Sequence, residues 1–271
     1  MASEQVSNIS VAQKQESGES KYLSVHILRL GLLLVFLALW ELGARTGFID
    51  TYFYSSPSRI IETLIQQFSS GAIWKHLAAT MQAAIFGLIY GFIAGAALGW
   101  LAARFKTLSQ IVEPVMTLFN SVPRIVIAPM IIMWLGIGIA SKIAVAFILV
   151  FVVLFFAVYT GIREVNKDLI DRIRLLGGNE RDIILNVYVP SVAAWIFSSL
   201  RLTVGFAFTG GIVGEYMASS RGLGYMLNFA QNSQNADLML STVVLIMAII
   251  MLIFALLGRL EARALIWRED R

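Results

Sequence analysis

Apolar residues fall into six long runs along the chain, and short polar segments separate the runs. Most of the runs approach or exceed the roughly 20 residues that a helix needs to cross a hydrocarbon core of about 30 Å. The runs lie at approximately residues 26–46, 79–103, 108–137, 141–162, 190–216 and 237–258. This pattern predicts an all-α membrane protein with about six transmembrane helices. Because the number of spans is even, both termini are expected on one side of the membrane.

The basic residues indicate which side that is. With both termini placed in the cytosol, 14 Lys and Arg residues fall inside and five fall outside, an asymmetry that follows the positive-inside rule. We therefore expect a multi-pass protein of a bacterial inner membrane with cytosolic termini. Residues 1–25 are polar and predict a disordered cytosolic tail. Residues 26–262 are expected to form the transmembrane domain, and residues 263–271 a cytosolic C-terminal tail.

Composition narrows the possible functions. Apolar residues make up 58% of the chain and charged residues 14%, with a mean hydropathy of +0.76, which predicts membrane lipid as the solvent. The pI near 9.4 does not require nucleic acid, because the basic residues lie mostly in short segments between apolar runs. Cysteine is absent, and the only two histidines, His26 and His76, are far apart. We therefore expect no metal site and no nucleic-acid partner.

The second span carries glycines at a strict i, i+4 spacing. These are Gly87, Gly91, Gly95 and Gly99. One face of this helix therefore has no side chains, so another backbone can approach it closely. We expect the stripe to pack against a helix of the same subunit, and a seam between two subunits is the alternative.

Prolines interrupt the third span. Pro114, Pro123 and Pro129 each remove a backbone donor and disfavour a straight helix. Broken helices at membrane depth usually border a cavity or a pathway, although a bent packing helix is the alternative. Arg124 follows Pro123 directly, so a charge lies at the predicted break.

The outer segment 47–78 contains a predicted amphipathic helix. Ser56 and Pro57 form a helix start, and five apolar residues follow at helical spacing: Ile60, Ile61, Leu64, Ile65 and Phe68. This helix is expected to lie along the outer surface. It either packs on the bundle as a lid or docks a partner.

The cytosolic loop of about residues 163–190 is the most informative segment. Residues 171–190 predict a short amphipathic helix, a glycine turn at Gly177, a second short helix and a proline that opens the next span. The apolar face is expected to comprise Leu175, Leu176, Ile183 and Ile184. Such a helix-turn-helix projection suits insertion into a groove of another protein, and an ordinary basic loop is the alternative.

In this loop the sequence resembles the permeases of ATP-binding-cassette (ABC) importers. Their signature is an acidic residue, two alanines, three further residues, a glycine and, thirteen residues later, a proline; Asp171, Gly177 and Pro190 have this spacing. Arg172 and Ile173 occupy the alanine positions. Other segments narrow the resemblance to the group that imports nitrate, sulfonates, taurine, bicarbonate and similar small solutes: 121–138, 198–205, 214–217 and 221–225.

The resemblance implies a division of labour. Two permeases form the pore, a cytosolic ABC ATPase dimer binds ATP and Mg, and an extracytoplasmic solute-binding protein delivers the cargo. A homodimer is the simplest arrangement of the permeases. The chain lacks a Gly-Lys-Ser or Gly-Lys-Thr phosphate loop, so we expect no enzyme activity and no bound cofactor in it. The residues expected to couple it to the ATPase are Asp171, Leu175, Leu176, Gly177, Ile183 and Pro190.

Three charges inside the predicted spans are the pathway candidates: Arg124, Arg201 and Glu215. Each costs roughly 2.5–3.5 kcal/mol at the bilayer centre, so each should be buried, paired or in contact with water. Arg124 is expected to line the pathway and favour anions, because a guanidinium binds oxyanions in a bidentate manner. For Arg201 and Glu215, a structural ion pair that holds the fifth span is the alternative to substrate contact.

Two other classes compete with the importer. A secondary transporter driven by an ion gradient would show internal repeats and acidic residues within its spans, whereas only Glu215 has a suitable position. A membrane-embedded enzyme would need clustered His, Asp or Glu residues, which the chain does not offer. The sequence therefore favours the permease subunit of an ABC importer for a small anionic solute.

Overall fold

The long apolar runs form long helices. The structure, a computed structural model, describes residues 27–264, and the N-terminal tail predicted for residues 1–25 lies outside them, as do residues 265–271. The elements in chain order are α1 (Ile27–Arg45), α2 (Thr51–Tyr54), α3 (Pro57–Ser69), α4 (Ala72–Arg104), α5 (Lys106–Ser121), a 3-10 turn (Arg124–Ile127), α6 (Ala128–Leu135), α7 (Ile139–Arg163), α8 (Lys167–Leu175), α9 (Glu180–Ile183), a π turn (Ile184–Tyr188), α10 (Val189–Met217), α11 (Leu223–Asn232) and α12 (Ala236–Ala264).

The number of spans agrees with the prediction. Within residues 27–264, five helices are long and apolar enough to cross a membrane, and the number is six if α5, the 3-10 turn and α6, which bend by 94°, count as one broken span. Two boundaries differ. Helix α4 begins at Ala72 rather than at residue 79, because Lys75 and His76 end the apolar run without ending the helix. Helix α12 continues to Ala264, past the predicted end of the sixth span at residue 258.

The glycine stripe of α4 packs against α7 of the same chain, as predicted. A Cβ atom on Gly91 would lie 2.7 Å from Cβ of Val150, and one on Gly95 would lie 2.5 Å from the carbonyl oxygen of Phe151. Such distances leave no room for a side chain, so the two backbones are in direct contact. The seam is therefore inside one subunit, and α4 and α7 form the centre of the bundle.

Helix α10 completes this centre. Its residues Val204, Ala207 and Phe208 pack with Val150 and Leu154 of α7 in one buried cluster. Because α10 contacts both α7 and α4, the three helices form a common core. The short helices α8 and α9 lie between α7 and α10, so this core is directly connected to them.

Helix α3 is held against the bundle at its start. Ser56 caps it through a hydrogen bond from the Arg59 backbone N–H, at 3.4 Å, and Arg59 forms an ion pair with Asp237 of α12 at 3.3 Å. Ile60 is buried, whereas Ile61 and Ile65 stay exposed. One side of the predicted amphipathic face therefore packs on the bundle, as in the lid interpretation, and the other side remains open.

Glu41 of α1 forms a local ion pair and also contacts the start of α3. Arg45 Nε lies 2.7 Å from Glu41 Oε1, which is the i, i+4 pair that the spacing indicates. The same carboxylate accepts hydrogen bonds from the backbone and hydroxyl of Ser58, at 3.1 and 2.9 Å. Glu41 therefore attaches α1 to the first turn of α3.

Candidate translocation cleft and coupling segment

Pro123 breaks the third span at the point that the sequence indicates. Helix α5 ends at Ser121, Val122 and Pro123 adopt extended backbone, and a four-residue 3-10 turn begins at Arg124. Pro114 lies inside α5, and Pro129 lies in the first turn of α6, where its missing N–H has no helical partner to lose. The sharp bend brings Arg124 to the junction of α5, α7 and α10.

Three helices hold the guanidinium of Arg124. Its Nη1 donates to the carbonyl oxygen of Leu149 in α7 at 3.0 Å, and its Nη2 donates to Oδ1 of Asn120 in α5 at 2.9 Å. The guanidinium carbon lies 5.2 Å from the ring centroid of Phe206 in α10, a cation–π contact. The charge therefore has a fixed position between the helices.

A cleft of about 340 Å³ opens at this guanidinium. Its lining residues are Asn120, Ser121, Val122, Pro123, Arg124, Ile125, Leu149, Phe206 and Thr209. The walls are largely apolar, with a few polar groups beside the cation, which is the usual composition of a small-molecule site. Of the three predicted pathway residues, only Arg124 lines it.

Arg201 and Glu215 do not pair with each other. They lie on the same helix, α10, fourteen residues apart, which is about 21 Å along the axis at 1.5 Å per residue. The suggested ion pair between them is therefore wrong. The guanidinium of Arg201 lies beside Gly258 of α12, since a Cβ atom there would be 3.3 Å from its Nη2.

Glu215 is buried in a polar cluster at the other end of α10. Its side chain is 1% exposed, and its Oε2 accepts hydrogen bonds from the Thr80 hydroxyl at 2.7 Å and the Gly224 N–H at 3.0 Å. Thr80 also accepts from the Leu223 N–H at 2.8 Å. The carboxylate thereby fixes the loop after α10 to α4. Thr80 and Glu215 are 135 residues apart in sequence, so the pattern of apolar residues does not predict their contact.

The segment between α7 and α10 forms the predicted helix-turn-helix projection. Helix α8 ends before Gly177, which takes a φ of +80°, a left-handed conformation that favours glycine. Asn179 then forms a capping box with Asp182 at the start of α9. Asp171 is exposed on α8, and Pro190 lies in the first turn of α10.

The expected apolar face is divided. Leu175 and Leu176 are each 87% exposed at the tip, whereas Ile183 is only 2% exposed. Ile183 therefore belongs to the core that supports the projection, and it does not share an exposed face with the two leucines. Helical periodicity places these residues on one face because it does not take account of the change in chain direction at Gly177.

A second polar cluster, which sequence reasoning missed, joins α5 to α7 near the projection. The Tyr159 hydroxyl donates to Glu113 Oε2 at 2.6 Å, and Arg163 forms an ion pair with the same oxygen at 3.2 Å. Arg163 also donates to the Tyr159 hydroxyl. Glu113 is an acidic residue inside an apolar run, a signal that could have revealed it. The cluster joins α5 to the end of α7, four residues before α8 begins.

Among residues 27–264, no group of three or more His, Asp or Glu side chains could hold a metal ion. The described part of the chain combines long apolar helices, a charged cleft at a sharp bend and a projecting helix-turn-helix segment. These are the features of a membrane transport subunit.

Comparison with known proteins gives the family. Residues 91–266 match the family described as binding-protein-dependent transport system inner membrane component. The chain therefore belongs to this family, is the permease subunit of an ABC transporter and is located in the inner membrane. The resemblance seen in the coupling loop is confirmed, and the secondary-transporter alternative is not favoured.

Similar proteins agree with this assignment. The chain is 28% identical over 238 residues to the riboflavin transport system permease protein RibX of Chloroflexus aurantiacus, covering 88% of this chain and 89% of that protein. It is 26% identical to the taurine transport system permease protein TauC of Escherichia coli, covering 90% of each. It is 28% identical to the putative aliphatic sulfonates transport permease protein SsuC of Bacillus subtilis, covering 89% and 88%.

A solved structure shares the fold. A chain from the inward-facing MetNI methionine ABC transporter superposes with a TM-score of 0.60 at 18% identity, over 71% of this chain and 97% of that one. The all-helical permease architecture is thus shown independently of the sequence motifs.

Proposed function

We propose that two copies of this chain form the pathway of an importer for a small anionic solute such as a sulfonate, taurine, nitrate or bicarbonate. A separate cytosolic ATPase dimer binds ATP and Mg, an extracytoplasmic protein delivers the solute, and this chain holds no cofactor. Both termini lie in the cytosol. Family membership supports the ATPase and the binding protein as partners.

The observation that carries the coupling role is the exposed tip of the projection. Leu175 and Leu176 are each 87% exposed, and large apolar side chains at such a position gain by insertion into a groove of a partner. The segments on either side are long helices, α7 and α10. A displacement of the projection is therefore transmitted into the bundle.

Helix α10 is long enough to carry such a displacement from one end of the bundle to the other. It contains 29 residues, which corresponds to about 43 Å at 1.5 Å per residue. One end begins at the projection and the other carries Glu215, which holds the outer loop. Closure of the ATPase pair thus rocks the spans between inward-open and outward-open states, and the different affinity of the ATPases for these states supplies the bias.

Helix α1 supports a dimer in lipid. None of the residues in its most apolar segment is buried, and its phenylalanine and all but one of its leucines are exposed. A helix that is apolar all round needs lipid or a second subunit around it. A homodimer is the simplest closed arrangement in which each proposed pathway residue occurs twice around a dyad.

Affinity purification of the tagged chain from native membranes tests this function. We expect mass spectrometry of the eluate to identify an ATPase with Walker motifs, and chemical cross-linking to join two copies of the chain. Recovery of the intact chain without any ATPase, together with solute uptake that does not need ATP, would exclude the proposal.

Replacement of both tip leucines tests the coupling contact. We expect Leu175→Ser with Leu176→Ser to weaken binding of the purified ATPase at least tenfold, because buried apolar anchors dominate interface energies, and to abolish ATP-driven uptake. The fold should be unaffected because both side chains are exposed. Titration of ATPase onto the permease in nanodiscs measures the affinity.

Leu169→Ser serves as the matched control, since Leu169 is also exposed but lies in the first turns of α8. It should leave ATPase affinity within about twofold of the wild type. Unchanged affinity and uptake in the double variant would show that the tip is not the coupling contact.

A further inference from the structure

The cleft at the broken span combines one fixed cation with apolar walls. Its lining comes from α5, the break itself, α7 and α10, so it lies where separate helices meet. Its volume of about 340 Å³ is at the lower end of the range for small-ligand sites, about 300–1,000 Å³. A small organic molecule fits this space.

Within residues 27–264, the charge of Arg124 is not neutralised by an acid. Its two hydrogen-bond acceptors are the Leu149 carbonyl and the Asn120 amide, both uncharged. Among the side chains that the structure describes, no Asp or Glu forms an ion pair with it. A guanidinium has five N–H donors, so donors remain for a ligand after these two bonds, and an anion in the cleft would be the counter-charge.

The walls specify the rest of the ligand. Val122, Ile125 and Leu149 contribute aliphatic surface, and Phe206 contributes an aromatic ring beside the guanidinium. The hydroxyl of Thr209 donates to the Gly205 carbonyl, so its oxygen is left to accept. A bare inorganic anion would use only the arginine, whereas an organic anion would also bury apolar surface.

We propose that this cleft binds an organic anion, a sulfonate or carboxylate group on a short apolar body, with the anionic group at Arg124 and the body against Phe206, Val122 and Ile125. The inference rests on the proposed function in taking the cleft as part of the solute pathway. It adds a substrate class, organic rather than inorganic anions, and assigns side chains of the break, the 3-10 turn and α10 to its recognition.

The chain has no cysteine, so Thr209→Cys introduces a single thiol into the cleft. The full chain with its co-purifying subunits is placed in nanodiscs of zwitterionic lipid. It is treated with either a sulfonate-bearing or a trimethylammonium-bearing ethyl methanethiosulfonate. The disulfide formed on this chain is followed by its intact mass. Ser69→Cys, on the exposed end of α3, is the reference thiol away from the cleft.

We expect the ratio of sulfonate to ammonium reaction rates to be about tenfold higher at position 209 than at position 69. Arg124→Gln should remove this preference, whereas Arg124→Lys should retain most of it because the charge is kept. Equal ratios at the two positions, or no reaction at position 209 with either reagent, would overturn the proposal. This measurement needs no ATPase activity, so a negative result would contradict the cleft proposal without bearing on the proposed coupling to the ATPase.

Protection distinguishes the classes of anion. Butanesulfonate should slow modification at position 209 at a concentration about tenfold lower than sodium nitrate does, because only the former contacts the apolar walls. Equal protection by the two salts would overturn the organic assignment. Protection by phosphatidylglycerol in the nanodisc, without protection by butanesulfonate, would identify a lipid headgroup site and overturn the solute assignment.

Discussion

Gly95→Ala is expected to destabilise the folded chain by about 1–3 kcal/mol, at the upper end of that range, and Gly95→Leu to prevent the bundle from assembling. A methyl group on Gly95 would lie 2.5 Å from the Phe151 carbonyl oxygen and 2.9 Å from the Leu154 Cβ. The first of these neighbours is backbone in the middle of α7, which cannot move without displacing the whole helix. The cost therefore falls on the α4–α7 contact at the centre of the fold.

Gly205→Ala is the matched control for this prediction. Gly205 is also a glycine within a membrane helix, but a Cβ atom there would meet only Phe254 Cζ at 3.7 Å, an ordinary contact. Alanine has the higher helix propensity, so this variant should be neutral or slightly stabilising. The fraction of protein that remains monodisperse after heating in detergent measures the thermal stability of both variants. Equal thermal stability of Gly95→Ala and wild type would show that α4 and α7 are not in backbone contact.

The sequence predicts the spans and the packing seam because both depend on simple local rules. Run length reflects the thickness of the hydrocarbon core, and four glycines at i, i+4 spacing define a bare helix face whatever lies opposite. The break at Pro123 follows from the missing donor and the restricted backbone of proline. These features need no knowledge of distant contacts.

The features that sequence reasoning missed depend on contacts between distant parts of the chain. Ile183 looks like a partner of Leu175 on a helical face, yet the left-handed turn at Gly177 sends it into the core. Leu149 and Phe206 are likewise distant from Arg124 in sequence, and the structure alone shows that both lie against its guanidinium. For Arg201 and Glu215, helix geometry could have excluded the ion pair, because both were expected in the same span.

The buried carboxylate of Glu215 leads to the last prediction. Replacing Glu215 with Ala leaves the Gly224 N–H without its acceptor in a buried site, and the Thr80 hydroxyl keeps only the His76 carbonyl, at 3.3 Å. An unsatisfied buried donor costs about 1–3 kcal/mol. The loop that α10 shares with α11 should then detach from α4, because Thr80 and Gly224 both bind the same oxygen, Oε2.

Trypsin reports this detachment directly, because Arg221 is an exposed cleavage site in the loop, one residue before buried Gly222. In Glu215→Ala we expect cleavage after Arg221 to be at least tenfold faster than in the wild type, together with a lower thermal midpoint. The cleavage rate and the thermal midpoint of Glu215→Gln should lie between those of Glu215→Ala and the wild type. Its amide oxygen can accept both hydrogen bonds, while the attraction to nearby Lys142 is lost.

The order of the cleavage rates of the wild type, Glu215→Gln and Glu215→Ala shows what the carboxylate contributes. A graded series in the order wild type, Gln, Ala means that the two hydrogen bonds at one oxygen hold the loop and that the charge adds to them. If Gln is cleaved as fast as Ala, the attraction between Glu215 and Lys142 dominates and the hydrogen bonds are secondary. Cleavage of Ala at the wild-type rate would mean that the loop is held without the carboxylate. The remaining contacts are the hydrogen bonds from the Leu223 N–H to Thr80 and from the Gly222 N–H to His76, together with the packing of Leu223 and Met226 against Ile73 and Leu245.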